Sequence, residues 1–151
     1  MRRVAAVALA GVLAVLACTV PVRAEARSPQ AAAYAYATAQ AGKPFAWGAD
    51  GPQAFDCSGL VYAAYRAAGI RLPRDTYQMI GSRLLERISR SQARRGDLAF
   101  FGPPGAPYHV ALVDSGDWIF SAYEPGEPAG WSRTSVYWQP SEFFRVAGVA
   151  G

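Results

Sequence analysis

Cys57 stands in Phe55-Asp56-Cys57-Ser58-Gly59-Leu60, where a loop rich in Gly and Pro gives way to an apolar helical period. A thiol at a helix start meets free backbone N–H groups and the positive end of the helix dipole. Both favour thiolate, the reactive form of cysteine. The same N–H groups are placed to hold the oxyanion of a tetrahedral intermediate. Gly59 lets another chain segment approach closely. A cysteine nucleophile needs a base, and the chain has one histidine, His109. In the alternating run Tyr108 to Asp114, His109 shares a face with Ala111 and Val113. That face is expected to lie against the helix of Cys57, which would set imidazole against thiol. Taken alone, a single histidine is better read as a structural group. One cysteine and one histidine, each at the start of an element, favour catalysis instead. A metal centre is not expected, because one histidine cannot supply a ligand cluster. No glycine-rich phosphate loop follows a strand, and no cofactor is expected.

The elements that must position these groups are legible from period and punctuation. Ala31 to Ala41 is alanine-rich, with Tyr34, Ala37 and Ala41 on one stripe, closed by Gly42 and Pro44. From Ser58, residues Leu60, Val61, Ala64, Tyr65 and Ala68 recur at helical spacing before Gly69. Asp75 and Gln78 resemble a capping box for a third helix through Arg83. The period then changes. Strands are expected at 97–101, 108–114, 118–123, 134–138 and 143–149, with a turn at Ser115-Gly116-Asp117. Helices first and strands second predict an α+β fold, with helices packed on one face of an antiparallel sheet.

The 151 residues suit one domain. Residues 1–24 read as a secretory signal: Arg2-Arg3, the apolar run Val4 to Ala17, and Val22-Arg23-Ala24 before Glu25. A retained membrane anchor is the weaker alternative, since the apolar run is short for a bilayer span. Val15-Leu16-Ala17-Cys18 is similar to a lipoprotein signal, although Leu16 fits that pattern poorly. Residues 25–41 are then an N-terminal helical segment of the same domain, and 42–151 its main body. Removing residues 1–24 takes away Arg2, Arg3 and Arg23 and no acid, leaving 12 basic and 11 acidic residues. The basic character of the whole chain therefore belongs mostly to the signal and does not argue for nucleic-acid binding. Cys57 becomes the only thiol, so no internal disulfide is expected, and an exported lone cysteine is either buried or used.

Several ordered motifs resemble the NlpC family of cell-wall cysteine peptidases, which have a compact papain-like fold. They are Lys43-Pro44-Phe45-Ala46-Trp47-Gly48, Phe55 to Val61, Leu72-Pro73-Arg74 with Tyr77-Gln78, Arg95 to Phe101, and His109 to Val113. The resemblance implies a Cys57–His109 acyl-enzyme mechanism acting on peptidoglycan stem peptides, with the γ-D-glutamyl bond to a diamino acid as target. It makes Asp56, Ser58 and Phe45 candidate substrate contacts, while Asp56 reads equally well as a helix cap. Phe45 stands where the family usually has tyrosine, and Ala49 where a second glycine is usual. The third catalytic position, usually histidine, falls on Ser121, with Glu124 as a substitute. A neutral third member is workable in cysteine peptidases. The expected protein is a secreted monomer acting in the cell wall without stable membrane association. Competing readings are a binding module that has lost catalysis, an amidase or acyltransferase with another acyl donor, and a toxin acting on another cell's wall. Trp118, Trp131 and Trp138 either line a groove or pack in the core, and packing is the simpler reading.

Overall fold

The computed structural model describes residues 28–135 and 138–147, so the signal reading for 1–24 lies outside the described residues. Helix α1 spans Pro29–Thr38; the Ser28 side chain accepts from the Ala31 N–H at its start, and proline occupies the first turn. Helix α2 spans Cys57–Ala67 and helix α3 spans Thr76–Ile80. Asp75 caps α3 by accepting from Gln78, but the helix stops at Gly81, short of the expected Arg83.

Six strands form one antiparallel sheet in the order β1-β6-β2-β3-β4-β5. They are β1 (Leu85–Ile88), β2 (Leu98–Phe101), β3 (His109–Ser115), β4 (Trp118–Ser121), β5 (Gly130–Arg133) and β6 (Glu142–Val146). Strand β1 was not anticipated. It is a short edge strand of sequence Leu-Glu-Arg-Ile with both central residues exposed, so its period is masked by charge. Strand β5 lies at 130–133, where Gly130 and Ser132 alternate with exposed Trp131 and Arg133 and give no apolar face to read; the expected strand at 134–138 lies partly outside the described residues.

The helices cover one face of the sheet, as expected for the α+β class. Ala33, Ala37, Leu60, Val61, Ala64 and Met79 pack there against Leu98, Phe100, Val110, Leu112, Phe120 and Val146. The opposite face carries Ala99, Phe101, Ala111, Val113 and Ile119, partly covered by Trp138 and Phe143. This corrects one expectation. Val110 and Leu112 face α2, whereas Ala111, Val113 and the His109 ring, which lies against Phe101 and Trp138, are on the side away from it. Strand β3 is central and apolar on both sides, so alternation separates the faces without saying which one meets the helix.

Two glycines are fixed by close approach. A Cβ on Gly59 would stand 2.1 Å from the Ala49 carbonyl oxygen. Gly96 has φ +88°, and a Cβ there would stand 2.3 Å from the Gln30 carbonyl oxygen. The first contact packs the 45–56 loop on the head of α2, as Gly59 had suggested. The second seats α1 beside the start of β2.

Candidate active site

Asp56 builds the head of α2. Its carboxylate accepts from the N–H of Gly59 at 2.7 Å and of Gly48 at 2.8 Å. Arg74 donates to both carboxylate oxygens, at 3.0 and 3.1 Å, and also to Ser58 Oγ and the Ala49 carbonyl, each at 3.0 Å. Ser58 completes the cluster through a 3.4 Å bond to Asp56. Asp56 and Ser58 are buried, and their polar atoms are engaged inside the protein. The cap reading of Asp56 is thus realised, with Arg74 as the clip that the sequence motif contained without a stated role. Phe45 is half-buried and meets Trp47 edge-on at 4.8 Å; Trp47 is 78% exposed.

Cys57 follows this cap directly and is partly buried. Its sulfur lies within hydrogen-bonding reach of the Val110 backbone, the Thr76 hydroxyl and the Ser58 backbone. Burial pushes the thiol above its ordinary value, and the Asp56 charge adds to this, while those three hydrogen bonds pull it down. The balance is a neutral thiol at rest, contrary to the thiolate expected from the helix start alone. Desolvation of the charged form outweighs the helix-terminus effect here. Thr76 is a site residue that sequence reasoning missed. It sits at the first position of a short helix, and only the fold brings that position to the sulfur.

His109 is the residue before Val110, so the thiol meets strand β3 beside the base candidate. The imidazole itself rests among aromatic rings. Phe101, its direct partner across β2 and β3, lies at 5.4 Å between centroids. Trp138 lies at 5.6 Å, and Tyr123 meets it edge-on at 5.4 Å. His109 Nε2 is buried without a hydrogen-bond partner. Burial alone pushes its pKa down to about 4, so the ring is neutral at pH 7.

Ser121 is buried at the end of β4, on the face that carries Ile119 and His109. Among the described residues no hydrogen bond joins it to His109. It lines an open groove of about 400 Å³ together with Tyr123, Glu124, Trp131 and Trp138. Glu124 is on the exposed rim of that groove and makes no ion pair among the described residues. The structure therefore brings Cys57 to the backbone beside His109 and keeps Asp56 and Ser58 within the supporting network. It joins neither Ser121 nor Glu124 to the imidazole by a hydrogen bond. Among the described residues no group of three or more His, Cys, Asp or Glu side chains is placed to hold a metal ion. No described helix is long and apolar enough to cross a membrane.

Comparison with known proteins agrees with this architecture. The murein DD-endopeptidase MepH of Escherichia coli is 41% identical over 105 residues, covering 66% of this chain and 39% of that protein. The chain thus spans less than half the length of this curated relative. The solved NlpC/p60 domain of the peptidoglycan hydrolase SagA superposes with a TM-score of 0.68 at 33% identity, covering 77% of this chain and 97% of that one. RipD of Mycobacterium tuberculosis, described as a non-catalytic NlpC/p60 domain protein adapted to peptidoglycan binding, superposes with a TM-score of 0.65 at 32% identity, covering 79% and 98%. The NlpC/P60 family profile matches residues 42–145, the span holding the capped cysteine, the Arg74 clip and the histidine strand. With that match over most of its length, the chain belongs to the NlpC/P60 family.

Proposed function

We propose that this protein is a secreted, monomeric cysteine peptidase that hydrolyses amide bonds in peptidoglycan stem peptides, with the γ-D-glutamyl bond to the diamino acid as its target. The observation that carries the reading is the contact of Cys57 sulfur, at the start of α2, with the backbone of Val110 beside the only histidine. The names of MepH and SagA place peptidoglycan among the substrates of relatives, which supports the choice of substrate.

In the mechanism we assign, Cys57 sulfur attacks the amide carbonyl as its proton passes to His109. A proton moved during attack suits a pair that rests neutral. Backbone N–H groups at the head of α2 hold the oxyanion; one such donor is typically worth about 100-fold or more in rate. His109 then protonates the leaving amine and activates water against the acyl-enzyme. Asp56 and Ser58 shape the loop that the substrate must cross, held by Arg74, and Phe45 with Trp47 forms its apolar rim. Ser121 is a wall of the groove next to the base.

A second reading, a wall-binding module without turnover, is favoured by the unpartnered His109 Nε2 and by the raised thiol. Mass spectrometry of purified muropeptides incubated with the mature protein separates the two. Cleavage that vanishes in Cys57→Ala, a loss of at least about 1,000-fold for a nucleophile, is the expected result. Retained cleavage by Cys57→Ala would reject the mechanism. Binding without cleavage by the wild type would establish the module. Products should be scored for DD as well as γ-D-glutamyl bonds, because the E. coli relative is named for the former.

A further inference from the structure

We propose that Trp138, with Tyr123, is the positioning residue of His109, holding the imidazole by ring contact where Ser121 gives it no hydrogen bond. The inference rests on the role of His109 as base. Phe101 and His109 are direct cross-strand partners on one face of the sheet. Trp138 stacks on Phe101 at 4.1 Å with an interplanar angle of 16° and reaches His109 at 5.6 Å. Tyr123 closes the remaining side, edge-on to His109 at 89° and 5.0 Å from Trp138. Three rings, with Trp138 touching the other two, thus surround the only imidazole of the chain, whose buried Nε2 has no hydrogen-bond partner.

Trp138 is itself held from outside the sheet. Its backbone exchanges two 3.1 Å hydrogen bonds with Ser135, and Gln139 donates to the Ser135 carbonyl. An acceptor at the third position would fix the ring's rotation and favour imidazolium. A wall of aromatic faces fixes the ring's plane and position but offers no comparable charge acceptor. It also excludes water from Nε2. Trp138 and Tyr123 line the adjoining groove as well, so a bound peptide in that groove would press on the same two rings.

Because His109 is the only histidine, a protein labelled with ¹⁵N-histidine reports this ring alone. The test is an imidazole NMR titration of wild type, Trp138→Ala, Trp138→Phe and Tyr123→Leu, alongside kcat and KM on muropeptides. In Trp138→Ala the imidazole should titrate nearer its ordinary 6.5 than the value of about 4 set by burial. Its kcat should fall at least 10-fold with KM changed less, and Trp138→Phe should restore most of both. Tyr123, 42% exposed, tests the same wall with little risk to folding; Tyr123→Leu should shift the titration in the same direction by less. An unchanged titration in a folded Trp138→Ala, or in Tyr123→Leu should Trp138→Ala not fold, overturns the proposal. A Cys57→Ala variant that still cleaves would sink the peptidase reading instead, while the titration would still judge the ring contacts.

Discussion

The two ends of the candidate site are built by opposite means. At the head of α2 the polar groups of Asp56, Ser58 and Arg74 are joined by hydrogen bonds. Around His109 the neighbours are rings and the buried Nε2 is unpartnered. The nucleophile end is fixed by directional bonds, which resist rotation and specify one geometry. The base end is fixed by packing, which sets position and excludes water but leaves the charged form without support. Both ends rest neutral, although the thiol is tuned by several opposing contacts and the imidazole by burial alone.

The comparison breaks most readily at its polar end. Asp56→Ala should cost on the order of 3 kcal/mol, because it removes the α2 cap, takes the buried carboxylate away from Arg74 and leaves two backbone N–H groups without their acceptor. Urea unfolding monitored by circular dichroism would measure it. A loss below about 0.5 kcal/mol, within the range of an ordinary surface substitution, would mean the network is not what holds the loop.

At the base end the prediction concerns acid. His109 is neutral above pH 6.5 in both folded and unfolded chains. As pH falls from 6.5 to about 4, the unfolded chain takes up its proton first, so stability declines through this window and then levels. The contribution is on the order of 3 kcal/mol, added to the general loss from carboxylates. Comparing the pH dependence of unfolding in wild type and His109→Phe isolates it. Parallel curves across that window would show that the imidazole is not desolvated.

The smallest effect sharpens the account of the thiol. Thr76→Val removes a hydroxyl that lowers the Cys57 pKa, so the thiol should move further up. Iodoacetamide alkylation followed against pH reads this directly. The wild type should react below the rate of free cysteine near neutral pH, and Thr76→Val more slowly by about two- to five-fold, the size of one neutral hydrogen bond at the low end of its range. A rate equal to or above the wild type would remove Thr76 from the site.

The residues that carry the chemistry, the α+β class and the order of its elements were set down by local pattern. A cap followed by an apolar helical period located Cys57 at the start of α2, and alternation located His109 at the start of β3. Strand β1 and the true position of β5 were hidden because edge strands carry charged or mixed residues and owe their pairing to neighbours distant in the chain. The tertiary structure alone decided that Val110, not Ala111, faces α2, since a strand apolar on both sides is symmetric in sequence and only packing chooses its outer face. It also decided the protonation of the pair. Helix-end electrostatics are local and readable, whereas desolvation and the contacts that oppose it are set by whatever the fold brings to each group: at the sulfur, burial opposed by hydrogen bonds from Thr76 and Val110; at the imidazole, the rings of Phe101, Tyr123 and Trp138.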